Sequence, residues 1–250
     1  MKKIFLLLIC VLSVLPLSAQ IQKKYYYGVV PTENITTFEV NPSLTAIDDS
    51  GGVSVSQTVF KAYRVINPQF NWGVEIPLSR YESPNKSVNG LGDILANVSY
   101  FVPKGNNDYG YGAKMEIILP TATDDLLGTG KLQFSPSVFV LFLGWNGFYA
   151  AAGYKHYVSL AGDGGRDDIN MGRFRGYLSY ISPDQWWVVL NGYYYMDYKH
   201  SGQAEFIPEL ELGTLVNEGT ALYINGSTHA GGNWHTKDFS VGIGFKLLYL

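Results

Sequence analysis

Large apolar residues recur at every second position from Phe70 to Leu78, as Phe70, Trp72, Val74, Ile76 and Leu78, with Asn71, Gly73, Glu75 and Pro77 between them and Ser79 after. A period of two is that of a strand with one apolar and one polar face. The stretch 67–80 is also about as long as a tilted strand needs to be to cross a bilayer. The alternation recurs along the chain. Residues 35–47 put Phe38, Val40, Leu44 and Ala46 on one face, 94–102 put Ile94, Ala96, Val98, Tyr100 and Val102 there, and 109–119 put Tyr109, Tyr111, Ala113, Met115, Ile117 and Leu119. Further stretches carry Leu132, Phe134, Val138, Val140 and Phe142; Phe148, Ala150, Ala152, Tyr154 and Val158; Phe174, Leu178 and Tyr180; Trp186, Val188, Leu190, Tyr194 and Met196. The last carry Phe206, Leu210 and Leu212, then Phe239, Val241, Ile243, Phe245, Leu247 and Tyr249. Residues 53–65 alternate poorly, and 221–229 favour neither face. The pattern predicts an all-β chain of about 12 antiparallel strands closed into a transmembrane β-barrel.

The connections support closure. Those at Asn67-Pro68, 103–108, 144–147, Ser182-Pro183-Asp184 and 217–219 are tight. Most of those between, at 80–90, 121–130, 161–168, 198–203 and 229–237, are longer and more polar. Short periplasmic turns and longer external loops have this rhythm, which places both chain ends in the periplasm. Aromatics gather near the tight turns, at Phe70, Trp72, Tyr100, Tyr109, Phe142, Phe148, Tyr180 and Trp186, as in an interfacial girdle. Pro42, Pro136 and Pro208 fall inside strands and Pro77 near a strand end. A proline removes a ladder hydrogen bond, so bulges or local breaks are expected there.

The first residues stand apart. Lys2 and Lys3, the mostly apolar run 4–17 and the small pair Ser18-Ala19 read as a secretory signal peptide over residues 1–19. Residues 20–34 are then an N-terminal periplasmic tail and 35–250 the barrel, in a bacterial outer membrane. The chain's single cysteine, Cys10, lies in the signal, so disulfides, thiol catalysis and cysteine-held metals are excluded from the exported chain. Without Lys2 and Lys3, 16 basic side chains face 21 acidic ones, a formal charge of −5, which disfavours nucleic acid as a partner. The expected partners are outer-membrane lipid, the barrel-assembly machinery and a small-molecule solute, with no cofactor.

Candidate chemistry lies on the polar faces. Lys114, Lys131, Lys155, Arg173 and Arg175 share the inward face over residues 109–181, while Asp197, Glu205, Glu209, Glu211, Glu39, Glu75 and Asp93 fall on the other strands, with Glu116 and Lys246 as exceptions. Basic and acidic walls with Tyr157, Tyr177, Tyr193 and Tyr195 between them would orient a dipolar or aromatic solute. The competing reading is that these charges neutralise one another and plug a narrow barrel. A barrel hydrolase acting on lipid would need a nucleophile beside a base. His156, His200, His229 and His235, with Asp167, Asp168 and Ser201, supply the residue types, and no spacing requires their contact. His229 and His235 match no closed metal-ligand spacing. Asp163, Asp167 and Asp168 read as a Gly-Asp turn before a weak calcium site. A structural or adhesive barrel without transport is the third class.

From about Gly90 onward the chain resembles the outer-membrane transporter family named for the meta-pathway of phenol degradation. GLGD (90–93), ILPT (118–121) and LGTGKLQFSPSV (127–138) carry the resemblance, with GYKHY (153–157) and EFIPELELG (205–213) in support. A glycine usually follows LPT in that family; here it is Ala122. The resemblance implies a barrel, passage of small and often hydrophobic or aromatic compounds, and tolerance of proline in its strands. It brings no catalytic residues.

Overall fold

The computed structural model describes residues 35–47, 52–104, 109–145, 147–200 and 202–249. The expected signal peptide and tail lie outside them, as do residues 48–51 and, of the expected turns, 105–108, Asn146 and Ser201. The strands are β1 (Thr36–Ile47), β2 (Val53–Asn67), β3 (Phe70–Ser83), β4 (Lys86–Leu91), β5 (Ile94–Lys104), β6 (Tyr109–Leu119), β7 (Lys131–Trp145), β8 (Phe148–Gly162), β9 (Asn170–Ile181), β10 (Trp186–Asp197), β11 (Gln203–Asn217), β12 (Thr220–Thr228), β13 (Gly231–Gly232) and β14 (Phe239–Tyr249). All described residues are strand, turn or irregular.

Twelve of these strands, all but β4 and β13, pair antiparallel with their neighbours in sequence. β1 then pairs with β14 from Thr36↔Tyr249 to Ala46↔Phe239 and closes the sheet. Closure satisfies the backbone without leaving an edge, the condition for crossing hydrocarbon with strands. The fold is a twelve-stranded antiparallel transmembrane barrel with both described ends at its short-turn rim.

The stretch 80–90, expected to be a polar loop, is instead a β-ribbon that prolongs β3 into β4 from Leu78↔Leu91 to Ser83↔Lys86. Tyr81 lies opposite Val88 in it, an aromatic and β-branched cross-strand pair. Ser83 Oγ accepts the Lys86 amide at 3.1 Å and donates to the Lys86 carbonyl at 3.2 Å, closing the turn.

Each strand proline costs pairing on one flank only. Pro42 keeps its partner Thr58 on β2, while pairing to β14 lapses between Val40 and Ser43. Pro136 stays opposite Met115 on β6 and breaks the ladder to β8 between Phe134 and Ser137. At Pro208 the pairing to β10 is intact, and β11 changes its other partner from β13 to β12. Pro77 marks where β3 leaves β5 for β4, and its carbonyl accepts the Gly92 amide at 2.9 Å. A strand residue directs both backbone groups to the same neighbour, so a missing N–H is felt on that side alone.

The apolar faces point outward. Leu78, Val98, Met115, Ile117, Val138, Val140, Leu190, Ile224 and Ile243 are all exposed, a belt that a water-soluble sheet would bury. Phe70 packs on Tyr100 with ring centres 4.6 Å apart, Phe148 on Tyr180 at 4.9 Å and Tyr180 on Trp186 at 5.4 Å, which forms part of the aromatic girdle at the short-turn end. At the other end Tyr154 meets Phe174 at 4.8 Å, and His156 stacks on Tyr198 at 5.7 Å. Val140 is 59% exposed at the middle of β7. Val140→Arg is expected to lower folding stability in lipid vesicles, read by denaturant titration, by about 2–4 kcal/mol. Arg in place of Thr37, which lines the lumen, costs far less; equal losses would mean that Val140 does not face hydrocarbon.

The interior is not polar throughout. Leu141, Tyr149, Tyr177, Ile181, Trp187, Val189, Ala221, Tyr223 and Leu248 form one buried apolar cluster inside the short-turn end. These positions belong to the faces expected to be wet. Several inward rings lie flat over a glycine directly opposite: Tyr63 over Gly73, Phe139 over Gly112, Trp187 over Gly213 and Tyr223 over Gly244. A Cβ at Gly213 would come within 2.1 Å of the Trp187 ring, and one at Gly244 within 1.9 Å of Tyr223. Absent side chains let the rings fold against the wall, so bulky aromatics fit within a narrow tube.

Candidate functional site

Above the apolar layer lies a cavity of about 530 Å³ to which all twelve barrel strands contribute. Its polar wall comes from alternate positions: Glu39 and Asn41 on β1, Lys61 and Tyr63 on β2, Asn71 on β3, Ser99 on β5, Lys114 and Glu116 on β6. Lys155, Arg173, Arg175, Asn191, Tyr193, Glu209, Glu211, Tyr223 and Lys246 complete it from β8 round to β14. Six basic side chains line it against four acidic ones.

The charges form clusters in place of the two opposed walls expected. Glu39, buried, takes Lys61 Nζ at 2.6 Å, Lys246 Nζ at 3.7 Å and the Tyr223 hydroxyl at 2.6 Å. Glu116, also buried, is paired with Lys114 Nζ at 2.8 Å and with Lys155 Nζ. Glu75 accepts the Tyr63 hydroxyl. The Trp187 indole N–H donates to Glu211 at 2.8 Å. Glu209 accepts Asn191 Nδ2 at 2.9 Å and the Tyr193 hydroxyl at 3.2 Å, and Asn191 Oδ1 in turn receives Arg175 Nε and Nη2 at 2.9 and 2.7 Å. Arg173 lies among the Tyr157, Tyr193 and Tyr195 rings, 5.8, 5.4 and 6.0 Å from their centres. Burial of so many charges is sustained because nearly every carboxylate meets a donor within hydrogen-bond reach.

Of the expected lumen residues, Lys114, Lys155, Arg173, Arg175, Tyr193, Glu209 and Glu211 border this cavity. Glu75 and Tyr195 lie beside it, through Tyr63 and Arg173. The remaining four belong to the long-loop rim. Asp93 accepts the backbone amides of Ala122 at 3.2 Å and Thr129 at 2.6 Å, and the Thr129 hydroxyl at 2.8 Å. It is a loop clamp, because it follows Gly92 outside β5 and is not part of the alternation. Lys131, buried, reaches Asp168 at 3.0 Å. Asp197 caps the turn after β10 through the Lys199 amide at 2.8 Å. Glu205 is fully buried under the 229–238 loop, held by His229 Nδ1 at 3.0 Å and by the Thr236 amide at 3.1 Å and hydroxyl at 2.6 Å.

The stretches 90–93, 118–121 and 127–130 meet at that rim. Thr121 Oγ1 accepts the Ile94 amide at 2.9 Å and donates to the Gly92 carbonyl at 3.0 Å, and the Thr123 amide donates to the Leu91 carbonyl at 3.0 Å. Side chains at Gly90 or Gly128 would strike Thr123 or Asp93. These residues fasten two loops together and do not enter the cavity. Lys61, Tyr63, Asn191, Tyr223 and Trp187 were not singled out in the sequence. The first two lie in the poorly alternating strand; Trp187 was readable as a large apolar residue on a face expected to be polar.

The rim histidines are each held by a carboxylate: His200 by Asp197 at 2.8 Å, His229 by Glu205 at 3.0 Å and His235 by Asp238 at 2.6 Å. His156 points outward, 2.9 Å from the Tyr154 hydroxyl. No cluster of three or more metal-ligating side chains is found among the described residues. The 163–169 loop is tied down electrostatically. Hydrogen bonds from Lys131 and Lys199 hold Asp168 below its ordinary value of 3.8. The Asp197 hydrogen bond holds His200 above its ordinary 6.5. Asp168 contributes in full above its ordinary value and is lost as pH falls through the depressed one. His200 contributes in full below its ordinary value and is lost as pH rises through the raised one. Protease cleavage of this loop is therefore expected to be slowest between roughly pH 4 and pH 6.5 and faster on either side; a rate that does not rise outside that window would refute the tether.

No family model and no curated protein matches the chain. Solved structures do. The COG4313 outer membrane channel from Pseudomonas putida F1 matches over 92% of this chain and 100% of its own, with a TM-score of 0.73 at 8% identity. The NanC porin matches over 84% and 98%, with a TM-score of 0.61 at 14% identity. The CymD monoaromatic hydrocarbon channel matches over 92% and 94%, with a TM-score of 0.51 at 6% identity. At these identities the likeness is one of fold.

Proposed function

We propose that the protein is a passive channel for small molecules in a bacterial outer membrane. The observation that carries this reading is the cavity on the barrel axis, to which every barrel strand gives polar or charged side chains while the outer wall is apolar. A barrel plugged by its own paired charges would fill its axis with side chains, whereas about 530 Å³ stays open here; a conduit needs groups that replace part of a solute's hydration without holding it tightly. On this reading Glu75, Lys114, Lys155, Arg173, Arg175, Tyr193, Tyr195, Glu209 and Glu211 contact the solute, and Asp93, Lys131, Asp197 and Glu205 hold the mouth. The similar channels and porins support this choice over the lipid hydrolase. The apolar layer and the inward tyrosines favour aromatic solutes, in keeping with the phenol-degradation family that the 90–138 segment resembles. Residues 1–19 direct export, the assembly machinery inserts the barrel, and lipid covers its outer face. Purified protein in planar bilayers is expected to give discrete conductance steps in KCl. No conductance above background would overturn the reading.

A further inference from the structure

Arg173 and Arg175 on β9 are the least answered charges of the lumen, and Lys155 on β8 stands beside them. Lys155 and Arg173 stand directly opposite one another, and Arg175 is the next inward residue of β9. Like charges facing across a strand pair are destabilising unless a counter-charge relieves them. The available carboxylate, Glu116, already serves Lys114 as well as Lys155. Arg173 makes no ion pair among the described residues, and its buried Nε has no hydrogen-bond partner. Aromatic faces hold it in place, and they steady a cation without neutralising it. Arg175 gives two N–H groups to the neutral Asn191, which stands as a spacer between this guanidinium and Glu209. The wall thus presents two guanidiniums to the cavity and withholds its acids from both.

We propose that Arg173 and Arg175 form a binding station for the carboxylate of a small organic acid crossing the lumen. Lys155 strengthens the field, and the rings of Tyr157 and Tyr193 offer flat faces to a planar body. A guanidinium fork matches a carboxylate in geometry as well as charge. The proposal names the solute class for the channel reading and rests on it.

The test uses the folded barrel in planar bilayers with three probes of similar shape: benzoate, benzyl alcohol and benzylammonium. Benzoate is expected to interrupt the KCl current at concentrations where the neutral and cationic probes leave it unchanged. Arg173→Gln and Arg175→Gln are each expected to weaken that block about tenfold, the scale of one charged hydrogen-bonding group lost. An open pore that treats the three probes alike, or that keeps benzoate block in both Gln variants, overturns the station and leaves the channel standing. If one variant does not fold, the three-probe comparison on the native protein still decides. If the native barrel carries no current, the channel reading falls. Calorimetry of benzoate with the detergent-folded barrel then decides the station alone: uptake lost in the Arg173→Gln/Arg175→Gln pair supports it, and no uptake overturns it.

Discussion

Glu116→Gln is expected to destabilise the barrel by about 3–5 kcal/mol, because it strands one buried and one half-buried ammonium beside a guanidinium. Glu116 is 4% exposed and is paired with both Lys114 and Lys155, while Arg173 stands opposite Lys155. The amide keeps the shape and the hydrogen-bonding atoms and removes only the charge. Denaturant titration in vesicles reads the loss. A second replacement, Lys155→Met, should recover part of it by removing one of the stranded cations, and the cycle gives the coupling between them. An exposed pair supplies the contrast. Arg80 and Glu82 meet at 2.5 Å with side chains 56% and 43% exposed, and breaking that contact should cost about 0–1 kcal/mol. Equal losses at the two sites would mean that the lumen screens charge as well as the surface does.

The outer wall of this barrel is legible in the sequence because hydrocarbon is an unforgiving solvent. Most lipid-facing positions must be apolar, so Phe70, Trp72, Val74 and their counterparts repeat with a period of two in most strands, and strand number and closure follow. The interior obeys no such rule. An inward position tolerates a lysine if a glutamate on another strand reaches it, and a tyrosine if a glycine lies opposite. Both conditions are set by cross-strand register, which alternation alone does not supply. Lys61 and Tyr63 therefore went unmarked, although they complete the Glu39 and Glu75 clusters. Asp93 departs from the expected lumen position for a related reason. It falls on the right parity for the lumen but lies past Gly92, where the chain has left the sheet and the backbone of 122 and 129 claims its oxygens. The 80–90 ribbon shows the same limit: its polar residues read as a loop, and only the facing of Tyr81 and Val88 makes it a paired extension.

The apolar layer inside the short-turn end leads to the other large expectation. Trp187 is 1% exposed, covers Gly213 across the strand pair and donates its indole N–H to Glu211 at 2.8 Å. Removing the ring takes away buried area, leaves a cavity and frees a carboxylate, so Trp187→Ala is expected to cost about 3–5 kcal/mol. The same change should widen the lumen at the apolar layer, because the surrounding cluster of Tyr149, Tyr177, Val189 and Tyr223 is anchored on its own strands and is not free to refill the space. Unitary conductance is therefore expected to rise as stability falls, an opposition that generic damage to the barrel would not produce. Gly213→Ala pushes the other way: its methyl meets the Trp187 ring and drives it toward the axis, at a cost of about 1–3 kcal/mol from overpacking, and should lower conductance. If Trp187→Ala destabilised the protein and left the current unchanged, the layer would be a structural floor set aside from the solute's path, and the constriction would have to lie at the long-loop mouth, where Glu205 and Asp93 fasten the loops.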